Sequence, residues 1–355
     1  MTELRALTSV RGIAAWLVVL YHIRGSIAGL PAGIEALLAK GYLAVDFFFL
    51  LSGFVIWLTW HDRLRAPGAT LRFLQKRIAR IWPLHAVMLA FAIALALLLD
   101  ATGRHDPAFP FAQLPLHVLL LQNWGFTDAL RWNDPAWSIS CELAAYLLFP
   151  LLMLAVDWRR LPGVALIGIA GGVLLGLHLA MSGAAALGED IPRYGLIRCL
   201  CECTVGTILA AAFLRTVATG ATSQTRRTLA IAALATLSAA TAWGLGTPET
   251  LAAPATLAGL LLTLALTANH ASHPLEGGAV HYLGEISYAT YLSHFLLWKA
   301  FRLPLAGTTL SPGLITCYLT LVLLASIALY HGVERPAQRR INALSIRHRR
   351  VAPAE

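Results

Sequence analysis

The chain has 355 residues, of which 58% are hydrophobic and 13% are charged, and its mean hydropathy is +0.68. A soluble globular domain must cover its core with polar surface, so this composition excludes that class and predicts an all-α, polytopic transmembrane helix bundle. The net charge of +9 lies in connections between apolar runs and in the tail, as the positive-inside rule requires. We therefore expect membrane lipid, and no nucleic acid, around the protein.

Ten apolar segments are long enough to cross a hydrocarbon core of about 30 Å. An eleventh segment, at 114–121, is too short and is predicted to be interfacial or re-entrant. The ten predicted spans are 7–23, 42–60, 81–99, 137–156, 163–181, 197–214, 229–245, 251–268, 283–301 and 314–333.

The basic connection at 60–80 should be cytoplasmic, because it carries five arginines and a lysine. If the short segment does not cross, the remaining basic loops and both termini fall on the same side. We expect a bacterial cytoplasmic (inner) membrane protein in which residues 1–336 form the membrane domain. Pro336 should end the last helix, and residues 337–355 should form a basic cytoplasmic tail.

The first span carries two ionisable residues, Arg11 and His22, eleven positions apart. At helical geometry they share a face and are separated by about 16 Å along the axis. Ionisable residues inside a membrane span are costly and usually indicate a pathway or a site.

Carboxylates on two other spans are predicted at the depth of His22. Asp46 lies about one turn into the second span, and Glu142 lies in the fourth span with Ser138 and Trp137 beside it. A carboxylate that orients an imidazole makes it a general base. The alternative is a structural polar clamp between adjacent helices.

Arg77 and Arg80 are three positions apart, so they share a helix face where the third span enters from the cytoplasm. Guanidinium groups bind phosphates in bidentate fashion, so the pair suits a phosphorylated ligand, although contact with anionic lipid headgroups is equally consistent with their position. Glu334, at the same rim on the last span, is expected to pair with one of these arginines.

The ninth span carries a polar stripe that should face the bundle interior. Its members are Ser287, Tyr291 and His294. The middle spans are predicted to be scaffold. His178 and Glu202 are isolated in them, and a satisfied packing role is expected for each instead of catalysis. Cys199, Cys201 and Cys203 are two positions apart, which suits neither a tetrahedral metal site nor a disulfide, and we expect no metal.

Six pieces of the sequence, in this order, resemble the acyltransferase-3 family of integral membrane O-acyltransferases. They are the R-x10-H spacing of Arg11 and His22, VDFFFLLSGF, the R-x-x-R pair Arg77 and Arg80 followed by IWP, WSISCELAAYLLFP, LGEISYATYLSHF, and VERP.

The resemblance implies transfer of an acyl group, often acetyl, from acyl-coenzyme A to a hydroxyl of a carbohydrate or glycoconjugate acceptor. It also implies functional roles for Arg11, His22, Arg77 and Arg80. We expect coenzyme A phosphates at Arg77 and Arg80, the pantetheine arm passing Arg11, and the thioester near His22. Two routes are open: direct attack of the acceptor hydroxyl on the thioester, and transfer through an acyl-His22 intermediate. The alternative function is a transporter for protons or an anionic solute.

Overall fold

The computed structural model describes residues 4–268, 274–305, 307 and 309–350, with the backbone alone described at 274 and 345–350. This part of the chain is helical and contains no named strand, which confirms the all-α prediction. The helices are α1 Arg5–Ile23, α2 Ala32–Ala39, α3 Ala44–Trp60, α4 Ala69–Ala101, α5 Leu114–Val118, α6 Ala136–Ala155, α7 Gly163–Ala180, α8 Ile191–Ala218, α9 Thr222–Gly244, α10 Glu249–Thr267, α11 Gly278–Glu285, α12 Ser287–Arg302, α13 Pro312–Leu329 and α14 Arg335–Arg350.

Eight helical stretches of the described residues are long and apolar enough to cross a membrane. Each predicted span falls on a helix, but two of the ten do not meet that criterion. The seventh lies in α9, whose first turns are polar, and the ninth is divided between α11 and α12 at Ile286. The short segment forms α5, whose five residues cannot cross a bilayer.

The predicted basic connection at 60–80 is largely helical. α4 begins at Ala69 and is 33 residues long, about 50 Å at the helical rise, which exceeds the hydrocarbon thickness. Arg77 and Arg80 therefore lie on this helix, as their shared face requires, two to three turns after it begins.

Pro336 does not end the last helix, so that prediction is wrong. A π-helical turn, Tyr330–Glu334, joins α13 to α14 just before Pro336, so this proline, which has no N–H, follows a place where the regular helical hydrogen-bond pattern is already interrupted. α14 packs on α4, and Gln75 Nε2 donates to the Ile341 carbonyl at 2.7 Å. The predicted tail thus begins within a helix; residues 351–355 lie outside the described part.

The chain forms two compact units. The first contains the residues up to Ala14, Tyr42–Arg65 and Leu148–Glu285. In it α3 packs along α8, and α10 packs on α9, α7 and α3. Glycines permit the α3–α8 approach: a Cβ on Gly53 would lie 1.9 Å from the Cys203 carbonyl oxygen, and one on Gly206 would lie 2.0 Å from that of Leu50.

The second unit contains Ala15–Gly41, Ala66–Leu147 and the residues from Ile286 onward. Here α12 packs on α4 and on α13. A buried cluster between the end of α1 and α13 includes Val19, Ile23 and Tyr318. Most of the predicted site residues belong to this unit, and α12 brings several of them together.

Candidate active site

A pair of histidines occupies the centre of the second unit. Nδ1 of His22, on α1, lies 3.2 Å from Nε2 of His294, on α12, and their ring centroids are 4.9 Å apart. His294 is fully buried and His22 is half-buried. The Phe295 ring meets the His22 ring edge-on at 5.4 Å. The imidazole of His22 is thus held by two neighbouring residues of one helix.

Backbone carbonyls set the tautomer of both rings. His22 Nδ1 lies 2.9 Å from the Val18 oxygen, and His294 Nδ1 lies 2.7 Å from the Tyr291 oxygen. Because a carbonyl oxygen can only accept, each neutral ring carries its proton on Nδ1. His294 Nε2 therefore accepts from His22 Nδ1–H, and His22 Nε2 keeps its lone pair. That lone pair has no hydrogen-bond partner among the described residues, so it is available to a substrate.

The turn of α12 that carries His294 is fixed from two sides. The Tyr318 hydroxyl donates to the His294 carbonyl at 2.9 Å, and Asn133 Nδ2 donates to the Leu292 carbonyl at 2.9 Å. The hydroxyls of Ser138 and Tyr291 lie 2.8 Å apart. The orientation of His294 is therefore determined by α13 and by the segment that leads into α6.

The polar stripe of α12 faces the interior, as predicted. Ser287, Tyr291 and His294 are all buried, and so are Trp137 and Ser138 at the start of α6. The structure thus brings Ser138, Tyr291, His294 and His22 into one continuous polar group.

The expected carboxylate partner of His22 is not found at Nδ1, which faces a carbonyl and a second histidine. Asp46 is instead ion-paired with Arg198 inside the first unit, at 2.6 Å. The Glu142 carboxylate accepts from the Tyr146 hydroxyl one turn along α6. The pairing of His22 with a carboxylate is therefore corrected to a pairing with His294.

Glu142 lies one helical turn beyond Ser138, whose hydroxyl contacts that of Tyr291. The Glu142 carboxylate also interacts electrostatically with Arg80 and Tyr288.

Arg80 and Glu334 form an ion pair, which confirms that Glu334 meets one of the two arginines. The Glu334 side chain is 1% exposed, and Gln338 Nε2 lies 3.3 Å from its carboxylate. The Arg80 guanidinium also lies over the Tyr288 ring at 5.2 Å. Arg80 is thus held by its surroundings before any ligand arrives.

Arg77 has a different environment. Its guanidinium lies 5.9 Å from the Phe73 ring centroid and 5.8 Å from that of Tyr146. It makes no ion pair within the described part of the chain, and its buried Nε has no hydrogen-bond partner there. The two arginines therefore share a face but not a role, since Arg77 forms no ion pair with a carboxylate of the described residues.

Arg11 lies on the half of α1 that belongs to the first unit and is half-buried. His178, predicted to be a satisfied packing residue, has a partner: its Nδ1 lies 2.7 Å from the Thr250 hydroxyl. No group of three His, Cys, Asp or Glu side chains in the described residues is arranged to hold a metal ion.

A charged cluster that the sequence did not reveal lies one turn beyond Phe295. Lys299 Nζ lies 3.2 Å from Asp106 Oδ2 and 5.6 Å from the Phe295 ring centroid. Asp134, which precedes α6, interacts with both charges. Burial raises the pKa of Asp134 to about 6, since the effect of the Asp106 carboxylate adds to it and that of the Lys299 ammonium only partly opposes it.

This pKa predicts a pH dependence of stability. A carboxyl whose pKa is higher in the folded than in the unfolded state stabilises the fold when protonated, so stability should fall as pH rises from about 4 to about 6. The loss is about 3 kcal/mol at most, for a rise of about two pKa units. Thermal unfolding in detergent across this range should show the fall, and Asp134→Asn should flatten it; an unchanged slope in the variant would contradict the assignment.

Several partners were missed from the sequence, among them Tyr146, Tyr288, Arg198 and Lys299. The partners of Tyr288, Arg198 and Lys299 lie more than 150 positions away, which exceeds any helical repeat, whereas Tyr146 lies one helical turn from Glu142. The only sequence signal for these partners is the presence of a polar residue on an otherwise apolar helix face.

Comparison with known proteins identifies the family. An acyltransferase domain model, that of the acyltransferase-3 family, matches residues 4–331. The chain belongs to the acyltransferase-3 family. A relative named acyltransferase MdmB, from Streptomyces mycarofaciens, is 31% identical over 386 aligned residues, which cover 100% of this chain and 95% of the relative.

A second relative, protein 2 in picA locus from Rhizobium radiobacter, is 35% identical over 155 residues, covering 39% of this chain and 75% of the relative. No solved structure matches the chain. Together with the apolar helices, membership of the acyltransferase-3 family makes this protein an integral membrane enzyme of the O-acyltransferase type.

Proposed function

We propose that this enzyme transfers an acyl group, acetyl by default, from cytoplasmic acyl-coenzyme A to a hydroxyl of a carbohydrate or related acceptor, with His22 as the general base. The observation that carries the proposal is the contact of His22 Nδ1 with the Val18 carbonyl oxygen and with His294 Nε2. With Nδ1–H directed at the Val18 carbonyl and His294 Nε2, the ring presents the lone pair of Nε2. A neutral imidazole with an accessible Nε2 is the form that can accept a hydroxyl proton.

The transfer balances with His22 alone as the proton carrier. Nε2 takes the acceptor hydroxyl proton while the oxygen attacks the thioester carbonyl carbon. The C–S bond then breaks, and the coenzyme A thiolate receives that proton from the imidazolium. His294 stabilises the transient imidazolium by accepting from its Nδ1–H, the role that we had expected of Asp46 or Glu142. Direct attack needs no acyl-His22 intermediate.

The donor phosphates are proposed to bind at Arg77. Its guanidinium forms no ion pair among the residues that the structure describes, whereas Arg80 is paired with Glu334. Tyr288, which contacts Arg80, and then Tyr291 lie along α12 on the way to His294. Tyr288 and His294 are six positions apart, which is about 9 Å along the helix axis. Ser138 and Tyr291 supply hydroxyls along the way, and the pantetheine amides could exchange hydrogen bonds with them. Arg11 is proposed as a further donor contact on the family resemblance alone.

The activity itself is tested with purified protein in detergent, labelled acetyl-coenzyme A and a panel of soluble glycans and hydroxylated small molecules. Label should appear on one acceptor class only when enzyme, donor and acceptor are all present. If the labelled donor is bound and no acceptor of any class is labelled, while reconstituted vesicles accumulate a labelled solute, the proposed function is wrong.

The two arginines should respond differently to substitution. Arg77→Ala should raise the KM for acetyl-coenzyme A by about 10- to 100-fold, because one charge-assisted hydrogen bond to the donor is lost. The thermal stability of this variant should be unchanged. Arg80→Ala should instead leave Glu334 buried and unpaired and destabilise the protein by about 3 kcal/mol. Steady-state kinetics and thermal unfolding of both variants separate the effects.

Matched variants control for the loss of an arginine. Arg104→Ala, at the opposite end of α4, should change neither the KM nor the stability. Replacing Arg80 and Glu334 together with leucine should restore the stability that Arg80→Ala loses. An unchanged donor KM in Arg77→Ala would indicate that this residue contacts lipid headgroups and not the donor.

A further inference from the structure

We infer that Asp46 and Glu202 share one proton beside Arg198, so that the first unit contains a buried proton-binding site between α3 and α8. This inference concerns the first unit alone and is independent of the proposed acyl transfer. It replaces two predictions made from the sequence: that Asp46 serves the base, and that Glu202 is isolated.

The ion pair at this site is short and buried. Arg198 donates to Asp46 Oδ1 from Nη2 at 2.6 Å and from Nε at 3.2 Å. The side chains are 1% and 0% exposed. Both hydrogen bonds reach the same carboxylate oxygen, so Arg198 satisfies only one side of the Asp46 carboxylate.

The other side of that carboxylate lacks a donor. Asp46 Oδ2 is buried and has no hydrogen-bond partner among the described residues, and the same is true of both carboxyl oxygens of Glu202. Glu202 is 0% exposed, lies one helical turn after Arg198 on the same face of α8, and interacts electrostatically with Asp46. Three orphaned acceptors of two neighbouring carboxyl groups are thus enclosed together.

A single proton satisfies this arrangement. A second ionised carboxylate that no protein donor reaches would be strongly destabilised in the bundle interior. When Glu202 is protonated, its hydroxyl can donate to Asp46 Oδ2, so the orphaned oxygen of Asp46 gains a donor and Glu202 gains an acceptor. The site then holds one positive charge on Arg198 and one negative charge on the carboxyl pair.

Neighbouring groups do not supply the missing hydrogen bond. The Tyr42 hydroxyl, which interacts electrostatically with Asp46, donates to Glu249 Oε1. The Cys203 thiol, beside Glu202, donates to the Phe49 carbonyl at 3.3 Å. The proton between Asp46 and Glu202 is therefore a separate ligand of the site, and it binds α3 to α8 next to the close approach at Gly53 and Gly206.

Infrared difference spectroscopy of the full-length protein in detergent tests the inference. The carbonyl stretch of a protonated carboxyl group, which shifts in D₂O, should be present in the wild type and lost in Glu202→Gln. The amide of glutamine can still donate to Asp46 Oδ2, so this variant should keep the wild-type melting temperature. Glu202→Ala, which supplies no donor, should lower it.

A second variant and a control complete the test. Asp46→Asn should also lose the acid band, because Glu202 then ionises opposite Arg198. Glu249→Gln should retain the band, because Glu249 already receives hydrogen bonds from Tyr42 and from the Leu187 amide. If Glu202→Gln loses only carboxylate bands, or if the acid band persists in both Glu202→Gln and Asp46→Asn, no shared proton exists and the inference is overturned.

Discussion

Replacing His22 with alanine is expected to reduce acyl transfer by about 10²- to 10⁴-fold, the usual contribution of a general base. The reason is that, of the two paired imidazoles, only that of His22 has an accessible nitrogen lone pair, which is on Nε2. The half-buried side chain contributes little to packing, so the variant should insert and remain folded. Initial rates with labelled acetyl-coenzyme A, together with a size-exclusion profile in detergent, measure both properties.

Two further variants distinguish a base from a structural residue. His294→Gln should lose less activity than His22→Ala and should shift the pH profile of kcat, because the hydrogen bond to His22 Nδ1 determines the basicity of Nε2. His105→Ala, an exposed histidine paired with Asp100 in the same unit, should leave the rate unchanged. Full activity of folded His22→Ala would remove this residue from the mechanism.

Adding a methyl group at Gly53 or Gly206, where α3 and α8 approach closely, should strongly destabilise the protein. In Gly53→Ala the new Cβ would lie 1.9 Å from a backbone oxygen of α8, and in Gly206→Ala it would lie 2.0 Å from a backbone oxygen of α3. Backbone cannot rotate away as a side chain can, so the helices must separate. We expect a loss of at least about 3 kcal/mol, a large share of the stability of a folded protein.

The matched control is Gly171→Ala on α7, where an added Cβ has no neighbour within 4 Å. This variant should match or slightly exceed the wild type, since alanine favours the helical conformation over glycine by about 1 kcal/mol. Thermal unfolding and folded yield in detergent compare all three variants. A wild-type melting temperature for both Gly53→Ala and Gly206→Ala would show that α3 and α8 are not in backbone contact.

Local sequence patterns predicted the helices and much of the α12 stripe. Hydropathy over about twenty residues identifies a membrane helix, and a polar stripe at helical spacing on an apolar helix identifies its interior face, as Ser287, Tyr291 and His294 show. The charged residues of the sequence also predicted that Glu334 pairs with an arginine, because a buried carboxylate at the level of two arginines pairs with one of them. Choosing Arg80 over Arg77 required the structure.

The sequence by itself determined the all-α membrane class, the family motifs and most of the residues that carry the proposed chemistry. The tertiary structure decided the partners: His294 for His22, 272 positions away, and Arg198 for Asp46, 152 positions away. The physical reason is that hydropathy and periodicity depend on neighbours within one helix. Hydrogen-bond partners depend on which helices pack together and at what level, and no single helix contains that information.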